Sequence, residues 1–241
     1  MGAMTDIETI TVPSRLRGYP GVAFGGYVAG VLAGRAAAKT VRVDFRRPTP
    51  VEVPVALAET ADGGAVLTGA DGVLAVAVPD ELDLEALEPP SWAEASAAAE
   101  AYRAAPPTGA VDCFGCGLDR APDTGLRLHC GAVPGRDLVA AAWTAGPALA
   151  DADGMLPAEL VWGALDCPGS AAGRLRGTMR EGAVTASLTA RLLQPVPVSS
   201  RLVSYAWVRS SEGRKHRVGV ALATARGDLC AVASALWVDP R

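Results

Sequence analysis

The chain has 241 residues, half of them hydrophobic, enough to bury one large core or two smaller ones, which excludes a disordered chain. A net charge of -4 and a pI near 5.3, with basic residues scattered rather than clustered, exclude the electrostatic footprint of a nucleic-acid binder. No apolar stretch reaches the roughly 20 residues of a membrane span, and no charged segment followed by an apolar one marks a leader, so the chain reads as a soluble cytoplasmic protein without a nucleic-acid or membrane partner.

"MGAM" opens the chain with a second methionine, reads as an extraneous addition and is left out of the fold argument. From Gly25, "GGYVAGVLAGRAAA" reads as an apolar helix. Residues 40–57, "TVRVDFRRPTPVEVPVAL", alternate as a strand does, break at "PTPV" and resume alternation. "GVLAVA", residues 72–77, adds a turn glycine followed by an apolar strand run. "EPPSWAEASAAAEAYRAAPPTG" reads as a connecting helix between prolines, begun by a capping box of Ser91 and Glu94. Trp92, Ala95, Ala99 and Tyr102 recur along it at helical spacing, which predicts that it packs onto a domain.

Next, "DCFGCGLDRAPDTGLRL" carries Cys113 and Cys116 as a CxxC, with His129 and Cys130 behind it. Neighbours on a strand face opposite ways, so only one of His129 and Cys130 can join the pair at one ion. That set lacks a fourth ligand unless another cysteine comes round, and the expectation is no metal and no cofactor. Five cysteines, an odd number with no secretion signal, argue against a disulfide framework.

A second helical run is predicted over roughly 157–172, containing "ELVWGALDCPGSAAG". Asp166 sits within its apolar stretch and Pro168 follows two residues later. Proline cannot donate to the carbonyl of Ala164, so the helix is disturbed there. The carboxylate is either satisfied by freed backbone groups or a nearby arginine, or retained for chemistry despite the cost of burying it. Ser170 lies one turn beyond on the same face, but no GxSxG elbow surrounds it, which argues against a serine-hydrolase triad.

Residues 187–204, "SLTARLLQPVPVSSRLVS", then repeat the earlier alternation, with "PVPV" aligned on "PTPV"; "GDLCAV", residues 227–232, parallels "GVLAVA". Between them "EGRKHR", residues 212–217, is a basic turn, either a solvated hairpin or a hold for nucleotide phosphates through Arg214 and Lys215. Each half is thus a helix followed by long antiparallel strands, and a lone helix and a curved sheet must bury their apolar faces on each other. The expected organisation is α+β: one unit over residues 5–88, a linker helix over 89–107 and a second unit over 108–241.

This arrangement resembles the hotdog fold, and its tandem form resembles the double-hotdog acyl-CoA thioesterases of the PaaI-like and 4-hydroxybenzoyl-CoA thioesterase type. "AFGGYVAGVLAGRAA" is similar to the FGG helix start of that class, and "DCFGCGLDRAPDTGLRL" with "ELVWGALDCPGSAAG" to its CxxCG leader and LLDxxxG helix. The resemblance implies a helix wrapped by a curved antiparallel sheet in each half, and hydrolysis of an acyl-CoA or acyl-carrier-protein thioester. It implies an oxyanion hole at the glycine start of one helix and an acid on the other, about seven residues past the glycine position.

The halves differ in a complementary way. Seven residues after Gly26 stands Ala33, whereas seven before Asp166 stands Glu159, preceded by Ala158. One helix keeps the glycines, the other keeps the acid, and pairing the halves would make one complete site. The candidate catalytic residues are therefore Asp166, Gly25 and Gly26, with Tyr27, Trp162, Ser170, Arg214 and Lys215 as candidate substrate contacts. A non-catalytic binder of acyl thioesters or of a protein is the alternative. Hydratase chemistry is disfavoured, because the His that such enzymes place five residues after the acid is Ala171 here. Further association into a homo-oligomer is left open.

Overall fold

A computed structural model describes residues 7–107 and 112–241. The opening "MGAM" and the expected boundaries at residues 5 and 108 lie outside the described residues.

Alternating residues in both halves build one antiparallel sheet of eleven strands among the described residues. In chain order the first half supplies β1 (Ile7–Thr11), β2 (Thr40–Phe45), β3 (Pro54–Glu59), β4 (Ala65–Gly69) and β5 (Gly72–Pro79). The second supplies β6 (Gly131–Ala132), β7 (Val139–Thr144), β8 (Val184–Leu192), β9 (Arg201–Glu212), β10 (Lys215–Thr224) and β11 (Leu229–Val238). The order across the sheet is β1-β3-β4-β5-β2-β8-β11-β10-β9-β7-β6. Apart from the two-residue β6, it runs through equivalent strands from either edge towards a central seam. There β2 meets β8 in the register Thr40 to Arg191 through Asp44 to Ser187. The two proline breaks hold corresponding places, Pro50 bridging Val22 and Pro197 bridging Met155. Four strands, β1, β4, β6 and β7, correspond to none of the sequence signals named above.

Three helices lie on one face of the sheet. The first, α1 (Gly25–Ala33), is apolar on nearly every side and buries Val28, Ala29 and Leu32, as an all-apolar helix must. The single helix expected over 157–172 is instead two: α3 (Ala158–Gly163) and α4 (Cys167–Leu175), parted at Ala164–Asp166. Pro168 sits in the first turn of α4, where its missing N–H costs no intrahelical bond. The other helix, α2 (Trp92–Ala104), carries the expected capping box, with Glu94 N–H donating to Ser91 Oγ at 3.2 Å and Ser91 N–H to Glu94 Oε2 at 2.7 Å. It covers the opposite face of the second half, where Ala95 and Ala98 pack with Val203, Tyr205 and Trp207. Alternating with those strand residues, Leu202 and Ala206 point into the main core, the two-residue period of a strand buried on both faces.

Glycines set how closely α1 and α3 cross. A Cβ on Gly30 would stand 2.3 Å from Glu159 Cα, and one on Gly26 would stand 2.7 Å from Gly163 Cα. Only backbone against backbone fits at that distance, and this approach brings the start of α1 to the break after α3.

Candidate functional site

The break between α3 and α4 turns Asp166 out of its own helix. It occupies the N-cap position of α4 but makes no capping bond there. Its carboxylate reaches across to α1, where Gly26 N–H donates to Oδ2 at 2.9 Å, while the Thr185 hydroxyl on β8 donates to Oδ1 at 2.6 Å. The first N–H groups of a helix have no partner in a preceding turn, and the helix dipole favours negative charge beside them. Asp166 is only 4% exposed. Burial pushes its pKa from the ordinary 3.8 up to about 6, the neighbouring Cys113 adds to the rise, and the bonds from Thr185 and Gly26 oppose it.

Asp166 lines a cavity of about 800 Å³ that also touches Gly25 and Val28 of α1, Phe45 of β2, Thr185 of β8 and Trp237 of β11. Gly25 keeps the passage open, since a Cβ there would lie 3.2 Å from Asp166 Oδ2 and 3.8 Å from Phe45 Cζ. Gly26 N–H is already bonded to the acid, and Gly25, which heads the helix, lines the cavity beside it. Ser170, half-buried one turn past Asp166, also lines the cavity.

Other sequence candidates are not brought there. Trp162 is buried in the core and Tyr27 packs half-buried against it, and neither lines the cavity. The basic turn lies away from the cavity, which neither Arg214 nor Lys215 lines: the Arg214 guanidinium donates through Nε and Nη2 to the carbonyl of Asp239 at 3.0 and 2.6 Å, and exposed Lys215 begins β10. The arginines at the cavity are Arg46 and Arg47, both exposed on the loop after β2, and half-buried Arg174 of α4.

The CxxC loop forms another wall. Cys113, Cys116 and Cys167 all line the cavity, and their sulfurs lie within 4.8 Å of one another. The further cysteine that the sequence left open as a fourth ligand is Cys167, the residue after Asp166, and it stands here as the third member of the group. The Cys116 and Cys167 thiols hydrogen-bond to Cys113 and hold its pKa well below the ordinary thiol value, while theirs are pushed up. His129 does not join them: its Nε2 lies 3.3 Å from the carbonyl of Gly117, and its ring stacks on Tyr102 at 5.9 Å. Sequence reasoning missed Thr185, Cys167, Arg46 and Arg47. Adjacency to Asp166 was the available signal for Cys167, and proximity to "PTPV" for the arginines.

No family model matches the sequence, and no curated protein does. Solved structures do. The tesB protein of Mycobacterium avium subspecies paratuberculosis superposes with a TM-score of 0.63 at 16% identity, over 98% of this chain and 93% of that one. A proposed thioesterase II from Thermobifida fusca gives 0.64 at 16% identity, over 98% and 94%. A conserved hot dog fold protein of unknown function from Alicyclobacillus acidocaldarius gives 0.56 at 12% identity, over 98% and 93%. Along essentially its whole length, this chain has the double-hotdog fold of proteins that include ones named as thioesterases.

Proposed function

We propose that the protein hydrolyses an acyl thioester carried on coenzyme A or on an acyl-carrier protein. The observation that carries the reading is the 2.9 Å bond from Gly26 N–H to Asp166 Oδ2, which joins a helix start of one half to an acid of the other at the wall of a large cavity. Asp166 takes a proton from water, whose oxygen attacks the thioester carbonyl carbon. The oxyanion forms beside the Gly25 amide, favoured by the α1 dipole. Collapse expels the thiolate, which takes the proton back from Asp166, leaving a free acid and a free thiol. The acyl group fits among Val28, Phe45 and Trp237, and the exposed Arg46 and Arg47 suit the phosphates of either carrier.

A second reading has one observation behind it. Asp166 already occupies the Gly26 donor, as it would in a site that binds thioesters without cleaving them. A panel of acyl-CoAs with a thiol-trapping dye separates the two. Hydrolysis predicts free thiol release by the wild type and a loss of roughly 10²–10⁴-fold in Asp166→Asn, which keeps an oxygen for the Gly26 N–H and so keeps the fold. Tight binding of acyl-CoA without thiol release would leave only the binder, and unchanged turnover in Asp166→Asn would reject the role of the acid.

A further inference from the structure

Three thiols converge where neither the sheet nor the hydrolytic reading calls for them. Cys113 and Cys116 come from the loop ahead of β6, and Cys167 opens α4. Cys113 Sγ and Cys167 Sγ are 3.8 Å apart, and all three sulfurs lie within 4.8 Å of one another. Zinc–thiolate bonds of about 2.3 Å in a tetrahedron set their sulfurs roughly 3.8 Å apart. A disulfide would need about 2.05 Å. We propose that Cys113, Cys116 and Cys167 are a three-thiolate zinc site whose fourth position opens to the cavity.

The backbone is arranged for this. Gly115 N–H donates to Cys113 Sγ at 3.3 Å, and Gly117 N–H donates to the Cys113 carbonyl at 2.8 Å, folding the CxxC so that both sulfurs face α4. A hydrogen bond to a thiolate is the outer support that fixes a ligand and tunes its basicity. Gly115 is also the residue that lets the third thiol in: a Cβ there would lie 2.6 Å from Cys167 Sγ and 2.6 Å from Phe24 Cζ. Soft thiolates select zinc over magnesium or calcium, whose ligands are oxygens. Each thiol gives up its proton to solvent on binding. The cavity touches all three cysteines, so water or a sulfur or oxygen atom of a bound molecule has access to the remaining position. This inference does not rest on the hydrolytic reading, and its test reads metal rather than turnover.

The test uses the full chain, stripped of metal and kept reduced without oxygen, titrated with cobalt(II) as a spectroscopic probe for zinc. The expected result is saturation at one equivalent, with intense sulfur-to-cobalt charge transfer in the near ultraviolet, ligand-field bands of tetrahedral cobalt in the red, and both lost on adding equimolar zinc. Cys113→Ser and Cys167→Ser should weaken zinc binding by more than the roughly 100-fold that outer partners cost, whereas Cys230→Ser, on β11 away from the cluster, should not. A wild-type protein without the charge-transfer band overturns the site, whatever the variants do. So does zinc affinity equal in wild type and Cys113→Ser, or a Cys113–Cys167 disulfide in protein purified without oxygen.

Discussion

Asp166 is gripped by donors on two different elements, and they do different things. Gly26 N–H fixes the carboxylate against α1 through the backbone, so the donor is not carried by any side chain at that position. Thr185 supplies the other at 2.6 Å from a half-buried strand position, and here a substitution can act alone. Thr185→Val keeps shape and strand preference while deleting one hydrogen bond to a charged group, a loss of about 1.5–3 kcal/mol. Thr185 acts as a positioning residue, so kcat should fall roughly 10- to 150-fold with KM nearly unchanged, and Thr185→Ser should restore most of it. Equal kcat in Thr185→Val and wild type would show that the hydroxyl does not hold the acid for chemistry. Asp166 was legible in the sequence because a carboxylate in an apolar helical stretch is a local anomaly. Thr185 was not, because threonine is ordinary on a strand and its meaning arises only when β8 is laid beside the helix break. Cys167 shows the same limit: its partner Cys113 comes from a loop 54 positions earlier.

Elements, rather than residues, decide whether the donor and the acid meet at all. The crossing of α1 on α3 is set by Gly26, Gly30 and Gly163, and it leaves no volume for a side chain: the hypothetical Cβ of Gly30 is 2.3 Å from a backbone atom that cannot rotate away. Gly30→Ala gains about 1 kcal/mol of helix propensity but must push the helices apart, at a cost of about 1–3 kcal/mol or more. Thermal unfolding should therefore show a net loss of stability, with turnover falling as Gly26 is drawn off Asp166. Gly34→Ala is the matched comparison. It ends the same helix with φ -65° and ψ -14°, exposed, and its Cβ would meet nothing nearer than 3.5 Å. It should be neutral or stabilise by about 0.4–1 kcal/mol through the unfolded chain, and two variants with equal melting temperatures would refute the crossing argument. The helix break was readable from Pro168, a local signal. That Gly26 and Gly30 serve a crossing rather than a turn was not readable, because the partner surface lies far along the chain.

At the scale of the molecule, the site exists only where the halves join. Its donor and its acid come from opposite sides of the β2–β8 seam, and that seam is a buried ladder with Val43 and Leu188 paired and fully covered. Alternation and the aligned proline breaks announce strands and their corners, since both are local patterns. Which strand of one half pairs with which of the other is carried by no pattern in either, and the seam appears only in the assembled sheet. The core gives no place to divide it: one contiguous cluster runs from Val41 and Leu57 through Phe24, Leu165 and Leu188 to Leu222 and Trp237. A sheet and core shared in this way should melt as one cooperative unit. With about 0.7 kcal/mol per residue near 60 °C, the 241-residue chain should absorb on the order of 170 kcal/mol in a single calorimetric transition, with a van't Hoff enthalpy that matches it. If the halves were independent, the van't Hoff value would drop to about half the calorimetric one. Either that or two resolved transitions would mean the seam does not couple them, and the Gly26 to Asp166 bond could then open without unfolding either half.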